Sequence, residues 1–161
     1  MIRKATLSDK SVLCDLFSKT LHTHASYISH GEMQMGIATD DGTLATDFIE
    51  KWSKYIENHI NDTHFSNVLI YEEDEIVLGF LLGTKEEDGS DYYGIINDVC
   101  VNSEVRKSGI GAKLMTAIFD WFKSEGIKAV YLESGLENHD AHHFFEKKGF
   151  KAVSKVFKMT I

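Results

Sequence analysis

The run Arg106-Lys107-Ser108-Gly109-Ile110-Gly111 holds residue types that grip a phosphate. Its two glycines lack Cβ atoms, so the backbone can take unusual dihedrals and a ligand can come close. Residues 95–101 before it are apolar and read as a strand, and residues 112–125 after it read as a helix. A strand, a tight turn and a helix N-terminus aim unpaired N–H groups and the positive end of a helix dipole at one point. Arg106 and Lys107 add charge for an anion. Two familiar phosphate loops do not fit. A dinucleotide fingerprint needs a third glycine where Leu114 stands, and a P-loop needs Gly-Lys-Ser/Thr where Gly111-Ala112-Lys113 stands. The second residue with chemical promise is Asp98, a carboxyl inside the apolar strand. Burying an ionised group without a partner is costly. A role as general base therefore competes evenly with a solvent-facing or lysine-paired carboxylate.

The elements that must position these residues can be read in order. The chain has 161 residues, the size of one domain over 1–161. That length buries enough surface to fold without disulfides or metals. The net charge of −8 argues against a nucleic-acid partner and suits a cationic substrate. Cys14 and Cys100 read as buried thiols. The basic start Met1-Ile2-Arg3-Lys4 is followed by no apolar h-region, and no stretch is long enough to span a membrane. A cytoplasmic protein without membrane contact is expected.

Residues 2–5 read as a strand, with Thr6 or Ser8 capping a helix that buries Val12, Leu13, Leu16, Phe17 and Leu21. Residues 28–43 read as a long loop, and residues 44–60 as a second amphipathic helix. Strands are expected at 67–71, 76–84 and 93–101, with a charged loop at 85–91. The helix after the phosphate loop ends at Gly126. A short strand at 128–133, a helix capped by Asn138 and a last alternating strand at 150–161 complete the order β-α-α-β-β-β-α-β-α-β. The expected class is α+β, a mixed, mostly antiparallel central sheet flanked by helices.

With its pattern Arg/Gln-x-x-Gly-x-Gly/Ala, the phosphate run resembles the acetyl-CoA loop of the GNAT superfamily of N-acetyltransferases. A second block, Asn138-His139-Asp140-Ala141-His142-His143-Phe144-Phe145-Glu146-Lys147-Lys148-Gly149-Phe150, resembles that family's Asn-x-x-Ala-x-x-(apolar)-Tyr-Glu-x-x-Gly-Phe signature. The resemblance covers nearly the whole chain and is weakest over residues 28–69.

The resemblance implies acetyl transfer from acetyl-CoA to a primary amine of a small molecule or peptide, by direct attack in a ternary complex. It places the co-substrate in a gap between the strands at 95–101 and 128–133. The Val99 N–H would hold the acetyl carbonyl, and Val101 would pair with the pantetheine arm. The N–H groups of Lys107, Ser108, Gly109, Ile110, Gly111 and Ala112, with Arg106, would hold the pyrophosphate. Asn138 would bond the pantetheine side, and Phe145 would touch CoA. It also implies a homodimer.

The base stays open at this point: Asp98 leads, Asn97 has no basic group, and His22, His24 and His30 or a water are alternatives. The signature tyrosine is Phe145 here, which cannot protonate a thiolate. Tyr27, Tyr92, Tyr93, Tyr131 or water would have to replace it, or the chain is an acyl-CoA-binding module without turnover. His139, His142 and His143 do not make a metal site, because adjacent helical histidines point to different faces.

Overall fold

The computed structural model describes residues 1–23, 27–159 and 161. Strand β1 (Ile2–Lys4) leads through a single 3₁₀ turn (Leu7–Asp9) into α1 (Lys10–Thr23). Next come α2 (His30–Gln34) and α3 (Phe48–Asn61), then β2 (Ser66–Glu73), β3 (Ile76–Asp88) and β4 (Asp91–Val101). Helix α4 (Ile110–Ser124), β5 (Val130–Leu132) and α5 (His139–Lys147) follow. The sheet order is β1-β2-β3-β4-β5, antiparallel except where β4 pairs with β5 in parallel. The α+β class and the mixed, mostly antiparallel sheet are as the pattern predicts.

One sheet face is covered by α1 and α3. Leu13, Leu16 and Phe17 of α1 and Trp52 and Ile56 of α3 recur at helical spacing and pack on Val68, Ile70, Phe80, Leu82 and Cys100. Phe17 stacks on Trp52 at 4.2 Å and 10°. The other face is covered by α4, whose Ile110, Leu114, Met115, Ile118 and Phe122 lie on Leu69, Leu81 and Ile96. Gly83 lets α4 settle this low, since a Cβ there would stand 2.8 Å from Ile118.

The entry to α1 is held by charge. Asp9 accepts from the Thr6 N–H at 2.8 Å and from Arg3 at 2.8 and 2.9 Å. Arg3 holds the Asp9 carboxyl down at about 2, from 3.8. A depressed carboxylate stabilises the fold above its unfolded pKa and loses that contribution as pH falls through the folded value. Asp9→Asn should therefore cost about 2 kcal/mol at pH 7, with the gap to the parent closing between pH 4 and pH 2. Urea unfolding across that pH range measures it.

Three parts of the sequence reading are corrected. The expected loop at 28–43 contains α2, a helix of five residues, followed by an isolated bridge between Ala38 and Leu44. Ser29 and Glu32 form a capping box there, a local signal that periodicity does not register. The charged stretch from residue 85 is not a loop: β3 runs on to Asp88 and turns at residues 89–90. Lys85, 6% exposed, pairs with Glu125 and lies over the Phe65 and Tyr92 rings, so its charge is satisfied inside the sheet. The last strand is absent among the described residues. Alternation makes a strand only where a ladder partner exists, and three-residue β5 pairs only with β4. Val153, Phe157 and Met159 stand 77%, 90% and 79% exposed.

Candidate active site

The site begins with one extra residue in β4. Pairing with β3 steps from Ile96↔Gly83 to Asp98↔Leu82, which leaves Asn97 as a bulge. N–H groups on one edge of a strand recur every second residue. The Gly94 N–H donates toward β5, to Ala129 at 2.9 Å, whereas the Asn102 N–H donates toward β3, to Leu78 at 2.9 Å. The two residues are an even number of positions apart yet donate to opposite sides, so the bulge has shifted the phase. Beyond it, the N–H groups of Val99 and Val101 face the β5 side. Pairing with β5 stops at Ile96↔Leu132, so these two donors look into a gap.

That gap opens into a cavity of about 680 Å³. At one end stands the phosphate turn. Lys107 and Gly109 take left-handed backbone at φ 66° and 85°, and α4 starts at Ile110. Successive left-handed and helical residues converge their N–H groups into an anion-binding concavity. The first intrahelical bond is from the Lys113 N–H to Gly109 at 3.0 Å, so the N–H groups of Ile110, Gly111 and Ala112 have no acceptor within the helix.

At the other end stands Asp98, on the face covered by α1 and α3, beside Phe17, Thr20, Tyr27, Ser29 and Glu32. Burial, then the Glu32 charge, push its carboxyl up from 3.8 to about 7. The Trp52 indole N–H opposes that shift without meeting hydrogen-bond geometry. It is buried without a partner of its own. Burial, and after it Asp98, also push the Tyr55 hydroxyl upward.

Residues 34–150 match the model of the Acetyltransferase (GNAT) family. The chain belongs to that family.

Among its relatives is the Uncharacterized N-acetyltransferase YhdJ of Bacillus subtilis, 34% identical over 67 residues, which are 41% of this chain and 47% of that protein. The chain thus spans about half the length of this relative. N-alpha-acetyltransferase 30 of Schizosaccharomyces pombe is 26% identical over 71% of this chain and 77% of that protein. Among solved structures, a tetramutant of the BH1408 protein of Bacillus halodurans superposes with a TM-score of 0.75 at 19% identity, over 100% of this chain and 99% of that one. The family match makes this a GNAT domain, and GNAT domains in general use acetyl-CoA.

Of the GNAT residues expected at the co-substrate, Val99, Val101, Arg106, Lys107, Gly109, Ile110, Gly111, Ala112, Asn138 and Phe145 all line the cavity. Ser108 does not: its hydroxyl turns away to donate to the Val105 carbonyl at 2.6 Å, which closes the turn. Arg106 reaches across to Tyr27, donating to its hydroxyl at 2.9 Å and lying over its ring at 5.4 Å. Asn138 caps α5 by accepting from the Ala141 N–H at 3.3 Å. Phe145 packs between the rings of Phe144 and Phe150, at 5.4 and 6.0 Å.

Of the alternative bases and acids among the described residues, Tyr27 is brought here and the others are not. The His22 ring bonds the Ser18 carbonyl at 2.8 Å, and neither it nor His30 lines the cavity. His24 lies outside the described residues. Tyr92, Tyr93 and Tyr131 line a separate cavity of about 520 Å³, leaving Tyr27 as the tyrosine at this one. Among the described residues no His, Cys, Asp or Glu group could hold a metal, and no helix is long and apolar enough to cross a membrane. The sequence reading missed Glu133, whose Oε1 accepts the Gly31 N–H at 2.9 Å and so ties α2 to the end of β5.

Proposed function

We propose that residues 1–161 act as one domain that transfers the acetyl group of acetyl-CoA to a primary amine of a small molecule or peptide, by direct attack in a ternary complex. One observation carries this reading: a single cavity joins a phosphate-binding turn, two unpaired strand N–H groups and a carboxyl whose pKa is near 7. The turn from Lys107 to Ala112 would hold the pyrophosphate, helped by Arg106. Val101 and Asn138 would bond the pantetheine arm.

Asp98 takes the proton that the attacking amine must lose. As nitrogen bonds to the thioester carbon, charge grows on the carbonyl oxygen, which the Val99 N–H stabilises. The carbon–sulfur bond then breaks and the thiolate leaves. Phe145 has no proton to give; the Tyr27 hydroxyl accepts from Arg106 and keeps its own proton, so Tyr27 or water protonates the thiolate.

A homodimer and a cytoplasmic location belong to the same reading. CoA thiol release across a panel of amines tests it. Turnover with one amine class well above hydrolysis supports the enzyme. Binding of acetyl-CoA with no turnover on any amine supports the second reading, an acyl-CoA-binding module, which Phe145 favours. Phe145→Tyr is expected to keep acetyl-CoA affinity within about threefold, under 1 kcal/mol, and to raise kcat. Loss of binding in a calorimetric titration would mean that this block of the chain does not face CoA.

A further inference from the structure

The cavity is electrically lopsided. One end gathers helix N–H groups, Arg106 and Lys107, and the other holds the carboxylates of Asp98 and Glu32. These two come from separate elements, β4 and α2. Among the described residues neither forms an ion pair. Partly buried negative charges that repel one another and have no cation of their own are stable when a ligand brings one. Beside Asp98 lies the Trp52 indole N–H, on a residue 1% exposed, which favours the ionised carboxylate and so keeps a negative charge available for a cation.

Glu32 is also held firmly. Its Oε2 accepts the Ser29 N–H at 2.6 Å and the Ser29 hydroxyl. Its helix is fastened to the far wall through Gly31 and Glu133. Among the described residues both of its hydrogen bonds fall on Oε2, and the side chain still lines the cavity. A carboxylate fixed before the ligand arrives loses little entropy in binding it.

We propose that Glu32 selects the acceptor by binding a second cationic group, so that the substrate is a di- or polyamine with one nitrogen at Asp98 and another at Glu32. This rests on the acetyl-transfer reading only for the chemistry at Asp98. The binding itself can be measured without turnover. Removing the charge lowers affinity for the dication relative to a monoamine, because a monoamine spends its one charge at Asp98.

The test compares putrescine and spermidine with n-butylamine, on the parent protein and on Glu32→Gln. Glutamine at this position can still complete a capping box, so α2 keeps its cap while the charge goes. Two readouts are taken: kcat and KM for acetyl transfer, and calorimetric binding to the CoA-bound protein. The parent should favour the polyamines over butylamine by about tenfold or more in KM and Kd, the scale of one charge-assisted contact. Glu32→Gln should erase that preference, read as the ratio of polyamine to butylamine at one pH, because the lost charge also relaxes the Asp98 carboxyl and moves both amines together. Ser29→Ala, which keeps the charge and loses the cap hydroxyl, should retain it. Equal affinity of the parent for mono- and diamines, or a preference that survives Glu32→Gln, overturns the proposal. Glu32-dependent diamine binding with no acetyl transfer would instead sink the catalytic reading and leave this one standing.

Discussion

Asp98→Asn is expected to lower kcat by about 10²–10⁴-fold, the usual yield of a positioned general base, while KM for acetyl-CoA stays near the parent value. In the parent, kcat/KM should rise with pH below about 7, where Asp98 gains its charge, and flatten above. The variant should lose that limb. Stability supplies the control, and its sign runs the other way from activity. The folded pKa of Asp98 is raised, so its ionisation costs nothing below the unfolded value near 3.8 and the full penalty above about 7. Asp98→Asn should therefore melt at or above the parent temperature at pH 8. A variant that kept both its rate and its pH limb would move the proton to water. A variant that melted early would show that the carboxylate holds the fold.

Gly109→Glu should weaken acetyl-CoA binding by at least about a hundredfold, or roughly 2.7 kcal/mol. Two effects combine. Gly109 sits at φ 85°, where an L side chain is strained, and the new carboxylate would face the pyrophosphate across the N-terminus of α4. Gly109→Ala separates them. A Cβ there meets nothing within 4 Å, so alanine carries the strain without clash or charge and should lose about tenfold or less. Calorimetric titration of both variants with acetyl-CoA decides it. Undiminished affinity in Gly109→Glu would place the pyrophosphate elsewhere.

Much of this was legible because it depends on local chemistry. Gly109 and Gly111 before a helix, and Asn138 at the start of another, declare themselves by residue type. The long elements announce themselves by period, as in Phe48, Trp52 and Ile56. Three features were not legible, each for a physical reason. Helix α2 spans little more than one turn, so no apolar stripe can form. Its sign was the Ser29-x-x-Glu32 spacing. The alternation after Phe150 has the right period but meets no ladder partner, and period alone supplies no hydrogen bonds. Lys85 looked like a surface residue because its counter-charge, Glu125, is forty positions away. At the site, Asp98 stands out in an apolar strand, but its companions Glu32 and Trp52 arrive only through tertiary packing.

The bulge at Asn97 has a consequence for how this chain can vary. It divides one strand into two reading frames that share a backbone. Ahead of it, changes at Gly94 or Ile96 alter how the sheet seats α4 and leave the open donors alone. Behind it, Val99 and Val101 present main-chain groups, so their side chains can drift among apolar types while the grip on a thioester persists. A single-codon deletion at Asn97 is different in kind. It would leave Ile96↔Gly83 and Asp98↔Leu82 as consecutive pairs, so Val99 and Val101 keep their side and Asp98 its face, but the local bend and added twist that a bulge gives a strand would go. In this strand the side chains can vary widely, whereas the one extra residue sets the bend where β4 parts from β5.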